Sequence, residues 1–176
     1  MMTIVIFSLV ILILLFVLVS NFISSYFGAP YSKSQKEIIQ KALKSAKLQL
    51  NEVFYDLGCG NGEVLLVAEK FGAKSIGYEI SPFYYLLAKW RTYGHKNVEV
   101  RFRNIDRVDL SKADIIYCYL MPAALKKFGD KFQKELKKSA RIISLDFQIK
   151  NMRLTEKLKV KNHTIYFYRS LSSSST

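Results

Sequence analysis

The chain has 176 residues and a formal net charge of +13, yet positions 1–32 contain no Lys, Arg, Asp or Glu. All of the charge lies beyond Tyr31, on a stretch of about 140 residues that can hold one ordinary core and excludes a second folded domain. The two cysteines, Cys59 and Cys118, stand in no metal-ligand spacing, so the sequence offers no metal site.

The first element runs from Ile4 to Val19, IVIFSLVILILLFVLV, with Ser8 as its one polar residue. Extended through Asn21 to Ile23 it reaches about 20 residues, or roughly 30 Å of helix, enough to cross a bilayer. A cleaved signal peptide is the rival reading, but basic residues before the run and a small-x-small site after it are both missing. Lys33, Lys36, Lys41, Lys44 and Lys47 follow the run closely, so the positive-inside rule places the rest of the chain in the cytoplasm behind a single-pass anchor. A cytoplasmic location argues against a disulfide between the cysteines. The expected division is an anchor over 1–27, a folded domain over 28–171 and a disordered tail over 172–176. Beside a membrane the positive charge would attract anionic lipid headgroups, and the phosphates of nucleic acid are the alternative partner.

Gly28-Ala29-Pro30 ends the first helix. Ser34, three residues before Glu37, has the capping-box spacing for a second helix to about Lys47, with Ile38, Ile39, Ala42, Leu43 and Ala46 on one face. Val53–Leu57 is a short apolar strand. A helix follows with Val64, Val67, Ala68 and Phe71 on one side and Gly72 closing it. Ser75–Ile80 reads as a strand, and Ser81-Pro82 as the N-cap and first residue of a helix to about Tyr93. Further strands are expected at Val98–Phe102, Asp114–Leu120 and Ala140–Phe147, with an amphipathic helix over Ala123–Lys138. Lys157–Lys161 and Thr164–Arg169 form a closing pair. The segment Arg103–Ala113 is too short for a crossover helix. Strands alternating with helices point to an α/β three-layer sandwich with a mostly parallel sheet and a C-terminal antiparallel hairpin, preceded by one transmembrane helix.

The chemistry is concentrated in Val53-Phe-Tyr-Asp-Leu-Gly-Cys-Gly-Asn-Gly62. A buried strand feeds a turn with glycine at alternate positions, where positive φ and close ligand approach are needed, and a helix begins directly after it. The spacing is G-x-G-x-G rather than the dinucleotide G-x-G-x-x-G. Asp56, two residues before the first glycine, would repel a phosphate and suits a cationic ligand such as the amino group and sulfonium of S-adenosylmethionine. Glu79, at the end of the next strand, can accept the two ribose hydroxyls of an adenosine. Asp106, after the third strand, can accept from an adenine amine or serve as a loop or cap residue.

Tyr55-Asp-Leu-Gly-Cys-Gly-Asn-Gly62, Gly77-Tyr-Glu79 and Asn104-Ile-Asp106 resemble the cofactor motifs of class I, seven-β-strand S-adenosylmethionine-dependent methyltransferases, over about residues 30–169. The apolar span followed by Gly28-Ala-Pro-Tyr31 resembles, more narrowly, the small membrane-anchored protein-lysine methyltransferases, which include the mitochondrial enzymes of the ATP synthase c-type rotor protein and the adenine nucleotide translocase. That resemblance implies a seven-stranded sheet, S-adenosylmethionine as cofactor, and a lysine of a membrane-associated protein as methyl acceptor. The cofactor residues it implies are Asp56, Gly58, Cys59, Gly60, Asn61, Gly62, Glu79, Ile80, Ile105 and Asp106. In the family an A-P-Y-V-P-T segment folds over the cofactor. Ala29, Pro30 and Tyr31 match it, Ser32 and Lys33 depart from it, and Ser34 stands at the Thr position, so Tyr31 and Ser34 are lid candidates. Tyr119, Met121 and Pro122, after the fourth strand, occupy the position that walls the acceptor pocket. Tyr119 could equally be a strand-end aromatic packing on its neighbours. Cys118 is in no Pro-Cys pair, and His95 and His163 fall in expected turns, so no general base is assigned. Lipids or quinones, RNA, and a non-catalytic nucleotide- or nucleic-acid-binding module are the alternatives.

Overall fold

The computed structural model describes residues 2–26 and 35–170, except for the side chains of 24 and 25. Tyr31, Ser34, the Gly28-Ala29-Pro30 break and the 172–176 tail lie outside these residues. In chain order the elements are α1 (Met2–Tyr26), α2 (Lys36–Ser45), β1 (Val53–Leu57), α3 (Glu63–Glu69), β2 (Lys74–Glu79), α4 (Pro82–Arg91), β3 (Val98–Phe102), β4 (Ile115–Cys118), α5 (Pro122–Glu135), β5 (Arg141–Leu145), β6 (Leu154–Val160) and β7 (His163–Arg169). A 3₁₀ turn, Ile105–Arg107, lies between β3 and β4.

The seven strands form one sheet in the order β3-β2-β1-β4-β5-β7-β6. The first five are mutually parallel where they pair, and β7 joins β5 and β6 antiparallel. This is the expected Rossmann-like three-layer sandwich with its C-terminal hairpin. Side chains alternate between two cores because both faces are covered. Phe54, Ile115, Tyr117 and Ile143 pack with α2 and α3 on one face. Tyr55, Ile116, Cys118 and Ile142 pack with Leu125, Phe128 and Phe132 of α5 on the other. Between β3 and β4, where no helix fits, Val108, Leu110 and Ala113 of the connecting loop are buried and cover the sheet instead.

Chain direction reverses its march across the sheet between β1 and β4. The carboxyl ends of these strands are therefore the switch point at which sheets of this kind bind ligands.

Several boundaries depart from sequence expectation. β5 ends at Leu145 rather than Phe147 because Asp146 turns to φ +62, a conformation that Asp tolerates. β6 begins at Leu154 rather than Lys157; a register shift between Leu154 and Glu156 breaks the alternation that would have revealed its start. His163 is the first residue of β7, not a turn residue. Ser81 precedes α4, but its hydroxyl makes no capping bond and is buried without a partner among the described residues. The amide of Phe83 in the first turn instead donates to Ser20 Oγ of α1 at 3.3 Å. A residue 63 positions earlier thus takes up the free helix donor that Ser81 was expected to satisfy.

Helix α1 carries an apolar stretch, Met2–Ile23, long enough to cross a membrane by length and composition. Most of its side chains are exposed, whereas Ser20 is buried where α1 meets α4.

Candidate cofactor site

The turn after β1 takes its shape from its glycines. Gly58, Gly60 and Gly62 have φ of +86°, +52° and +77°, a region costly for residues with a Cβ. The turn hangs from the neighbouring strand: Gly58 N–H and Cys59 N–H both donate to the Tyr78 carbonyl, at 2.9 and 3.0 Å. Gly60 N–H donates to Glu79 Oε2 at 2.8 Å. Glu79 Oε1 accepts from the amides of Ile80 and Ser81, each at 2.8 Å. Glu79 is thereby the brace of both the glycine turn and the entry to α4. Gly77 makes the approach possible, since a Cβ there would lie 2.6 Å from Leu65 Cδ1 and 2.8 Å from Cys59 Cβ. Asn61 Oδ1 accepts from Glu63 N–H at the head of α3. Arg91 of α4 donates to Asn61 O at 3.3 Å and pairs with Glu63 at 2.5 Å, closing the far side of the turn.

Asp56, one residue before the end of β1, and Glu79, the last residue of β2, are 2% and 5% exposed. Burial pushes the Asp56 carboxyl well above the ordinary carboxylate range, and the neighbouring Glu79 pushes it further. Burial also raises Glu79, with the three backbone N–H donors pulling back toward the charged form. Asp56 Oδ2 is buried with no hydrogen-bond partner among the described residues. An orphaned acid oxygen and a second buried acid, the latter bonded to the glycine turn, suit a ligand that brings positive charge and hydroxyl donors.

Asp106 differs from both. It sits in the 3₁₀ turn, where Asn104, not Asp106, is the cap: Asn104 Oδ1 accepts from Asp106 N–H at 2.9 Å. Its carboxylate pairs with Lys127 of α5 at 2.7 Å. Asp106, Ile105 and Lys127 line a cavity of about 280 Å³ whose rim includes Tyr26 at the end of α1.

Residues 56–156 match the family described as the ANTKMT methyltransferase domain. The chain belongs to that family. It is 30% identical over 148 residues to a protein-lysine N-methyltransferase of Saccharolobus islandicus, covering 79% of this chain and 92% of that one. It is 32% identical over 98 residues to the adenine nucleotide translocase lysine N-methyltransferase of Mus musculus, covering 53% of this chain and 43% of the mouse protein. Its fold matches that of an RNA methyltransferase from Salinibacter ruber solved with S-adenosyl-L-homocysteine, with a TM-score of 0.77 and 23% identity over 80% of this chain and 95% of that one.

The methyltransferase is S-adenosylmethionine-dependent, and the residues present fit that group. The glycines hold the turn at positive φ, and Asp56 and Glu79 offer buried acceptors suited to a cationic amino acid and a ribose.

On the acceptor side the expected residues spread apart in environment. Tyr119 is half-buried and stacks on Phe147 at 6.2 Å between centroids, so it packs on its neighbour as a strand-end aromatic. Met121 is 42% exposed, and Pro122 opens α5. Cys118 is buried with its thiol pushed up to about 12, chiefly by desolvation, which leaves it neutral and without nucleophilic character. His95 lies on Glu69 at 2.5 Å and His163 on Asp146 at 2.7 Å. Arg91, Phe147 and Ser20 escaped the sequence reading. Each acts through a partner far away in the chain, so no local spacing marks it.

Proposed function

We propose that this methyltransferase is held on a membrane by α1 and methylates a lysine amine of a membrane-associated protein. The observation that carries the proposal is the docking of the apolar helix on the cofactor side. Ser20 bonds to the start of α4 three residues after Ile80, and Tyr26 stands on the rim of the cavity lined by Ile105 and Asp106. The names of the Saccharolobus and mouse relatives support lysine as acceptor.

In this reading residues 1–27 are the anchor, with the lysines after position 32 keeping the domain of 28–171 in the cytoplasm and near anionic headgroups. Asp56 takes the cationic end of the cofactor. Gly58, Cys59, Gly60, Asn61 and Gly62 form its backbone cradle. Glu79 and Ile80 hold the ribose side, and Ile105 and Asp106 the base. Tyr31 and Ser34 cover the site. When bound, the cofactor supplies an activated methyl group on a sulfonium. The chain contributes alignment and exclusion of water, and Tyr119, Met121 and Pro122 form a wall whose low polarity favours the neutral amine over the ammonium.

The test is a comparison of native membranes treated with the full chain and with its Glu79→Ala variant, using labelled cofactor and mass spectrometry. Enzyme-dependent methyl-lysine on a membrane protein is expected. Label found only in lipid, quinone or RNA would overturn the lysine reading. Carbonate extraction checks the anchor, and recovery of a chain beginning near position 25 would show a cleaved signal peptide instead.

A further inference from the structure

Helix α4 has two faces of different character. Tyr85, Ala88 and Thr92 turn inward: Ala88 and Thr92 are buried, and Tyr85 packs on the core and on Phe102. Leu86 and Trp90, four residues apart, line the opposite side, and Tyr93 continues it in the turn just past the helix; they are 57%, 76% and 89% exposed. One apolar residue left in water needs no explanation, but a run of three along one side of a helix and the turn that follows it does. Lys89 and Lys96, both exposed, flank the stripe.

The neighbour of this helix says what covers the stripe. α4 packs against the end of α1, with Phe83 N–H on Ser20 Oγ. Ser20 lies in the last turns of an apolar stretch that runs from Met2 to Ile23. If that stretch crosses the bilayer, the level of Ser20 is the boundary between hydrocarbon and headgroups, and α4 begins at that level. Trp and Tyr are enriched at this boundary because their rings are apolar and their N–H and O–H groups reach water, and lysines there reach anionic headgroups.

We infer that the outer stripe formed by Leu86 and Trp90 of α4 and by Tyr93 just past its end inserts into the headgroup layer as a second membrane contact beside the α1 span. The inference rests on the proposed anchoring and adds an orientation to it. α4 follows closely after Glu79, so an inserted stripe fixes which way the cofactor region is turned relative to the membrane. A tether alone would leave the domain free to turn away.

Trp90 is the chain's single tryptophan, so its emission reports this contact without labelling. The full chain is reconstituted into vesicles of phosphatidylcholine and phosphatidylglycerol, plain or carrying lipids brominated at a shallow or a deep acyl position. Trp90 is expected to lose the larger part of its emission to the shallow bromines and less to the deep ones. Leu86→Glu, which leaves the tryptophan in place, should restore emission while the chain stays in the carbonate-resistant pellet. Full emission in brominated vesicles, with Trp90 open to aqueous acrylamide, would overturn the inference and leave the anchor standing. Shielding from acrylamide without bromine quenching would also overturn it, since protein rather than lipid would then cover the stripe. Loss of the wild-type chain from the pellet would overturn the anchor and this contact together.

Discussion

Asp56 and Glu79 on one side of the cofactor region and Asp106 on the other are all acids near the ends of parallel strands, yet the fold treats them oppositely. The first two are buried, Glu79 accepting from three backbone amides and Asp56 Oδ2 having no partner among the described residues, while Asp106 is partly exposed and already paired with Lys127. A buried acid is sensitive to whatever enters beside it, because desolvation magnifies both its cost alone and its gain on pairing. An exposed paired acid is screened and changes little. Cofactor affinity should therefore reside on the β1–β2 side, and variants can test that asymmetry.

The largest effect is expected at Gly60→Val. The backbone there is at φ +52, and its N–H is held by Glu79, so a β-branched residue must distort the turn itself. Isothermal titration of the folded variant should show no measurable S-adenosylmethionine binding; retained affinity would mean that the turn is not the cradle.

Glu79→Ala comes next, since it strips acceptors from three backbone amides besides any ribose bonds. At ~1.5–3 kcal/mol for each charge-assisted bond, affinity should fall at least tens-fold and thermal stability should fall as well. Glu79→Gln, with one acceptor fewer rather than none, should lie between. If it were the equal of Ala in melting temperature, the bracing role of the carboxylate would be refuted.

Asp56→Asn should separate stability from function. The raised Asp56 carboxyl means that the folded, cofactor-free chain holds its proton more tightly than the unfolded chain does. The contribution of Asp56 to the stability of that form is thus fully present below the ordinary Asp value of 3.8 and is lost as pH rises through its raised folded-state value. Replacing the acid by a neutral amide removes this penalty, so the melting temperature at neutral pH should rise by ~2–4 °C for each kcal/mol recovered, while cofactor binding weakens. A melting series across pH is the measurement: the variant's advantage over wild type should grow as pH rises above 3.8, and parallel curves would remove Asp56 as the cause.

Asp106→Ala should matter least. An exposed ion pair contributes ~0–1 kcal/mol, and the Asn104 cap survives. Unchanged melting with a loss of cofactor affinity no larger than about tenfold is expected by titration; a loss matching that of Glu79→Ala would erase the asymmetry between the two sides.

The legibility of the sequence follows the range of the interactions involved. The alternation of Phe54-Tyr55 and Ile115-Ile116 between two faces, the glycine turn and the apolar stretch Met2–Ile23 are patterns within a few residues of each other, and all are visible before any folding is considered. So are Asp56 and Glu79, because the strand-turn-helix unit fixes where its own ends lie. Other features were decided by partners remote in the chain. Ser81 has the residue type of a helix cap, yet Ser20 supplies the bond; Glu79 suits a ligand acid, yet it also braces the turn through Gly60. Tyr119 follows a strand in the expected place, but its ring stacks on Phe147, which lies two residues past the end of β5 and 28 positions away in the chain. Sequence thus determined which segments become strands and helices and where the reactive turn falls, because those depend on local backbone preference and periodic burial. Only the tertiary structure decided which donor meets which acceptor and how deeply each acid is buried, because hydrogen bonding and desolvation depend on distances that chain order does not encode.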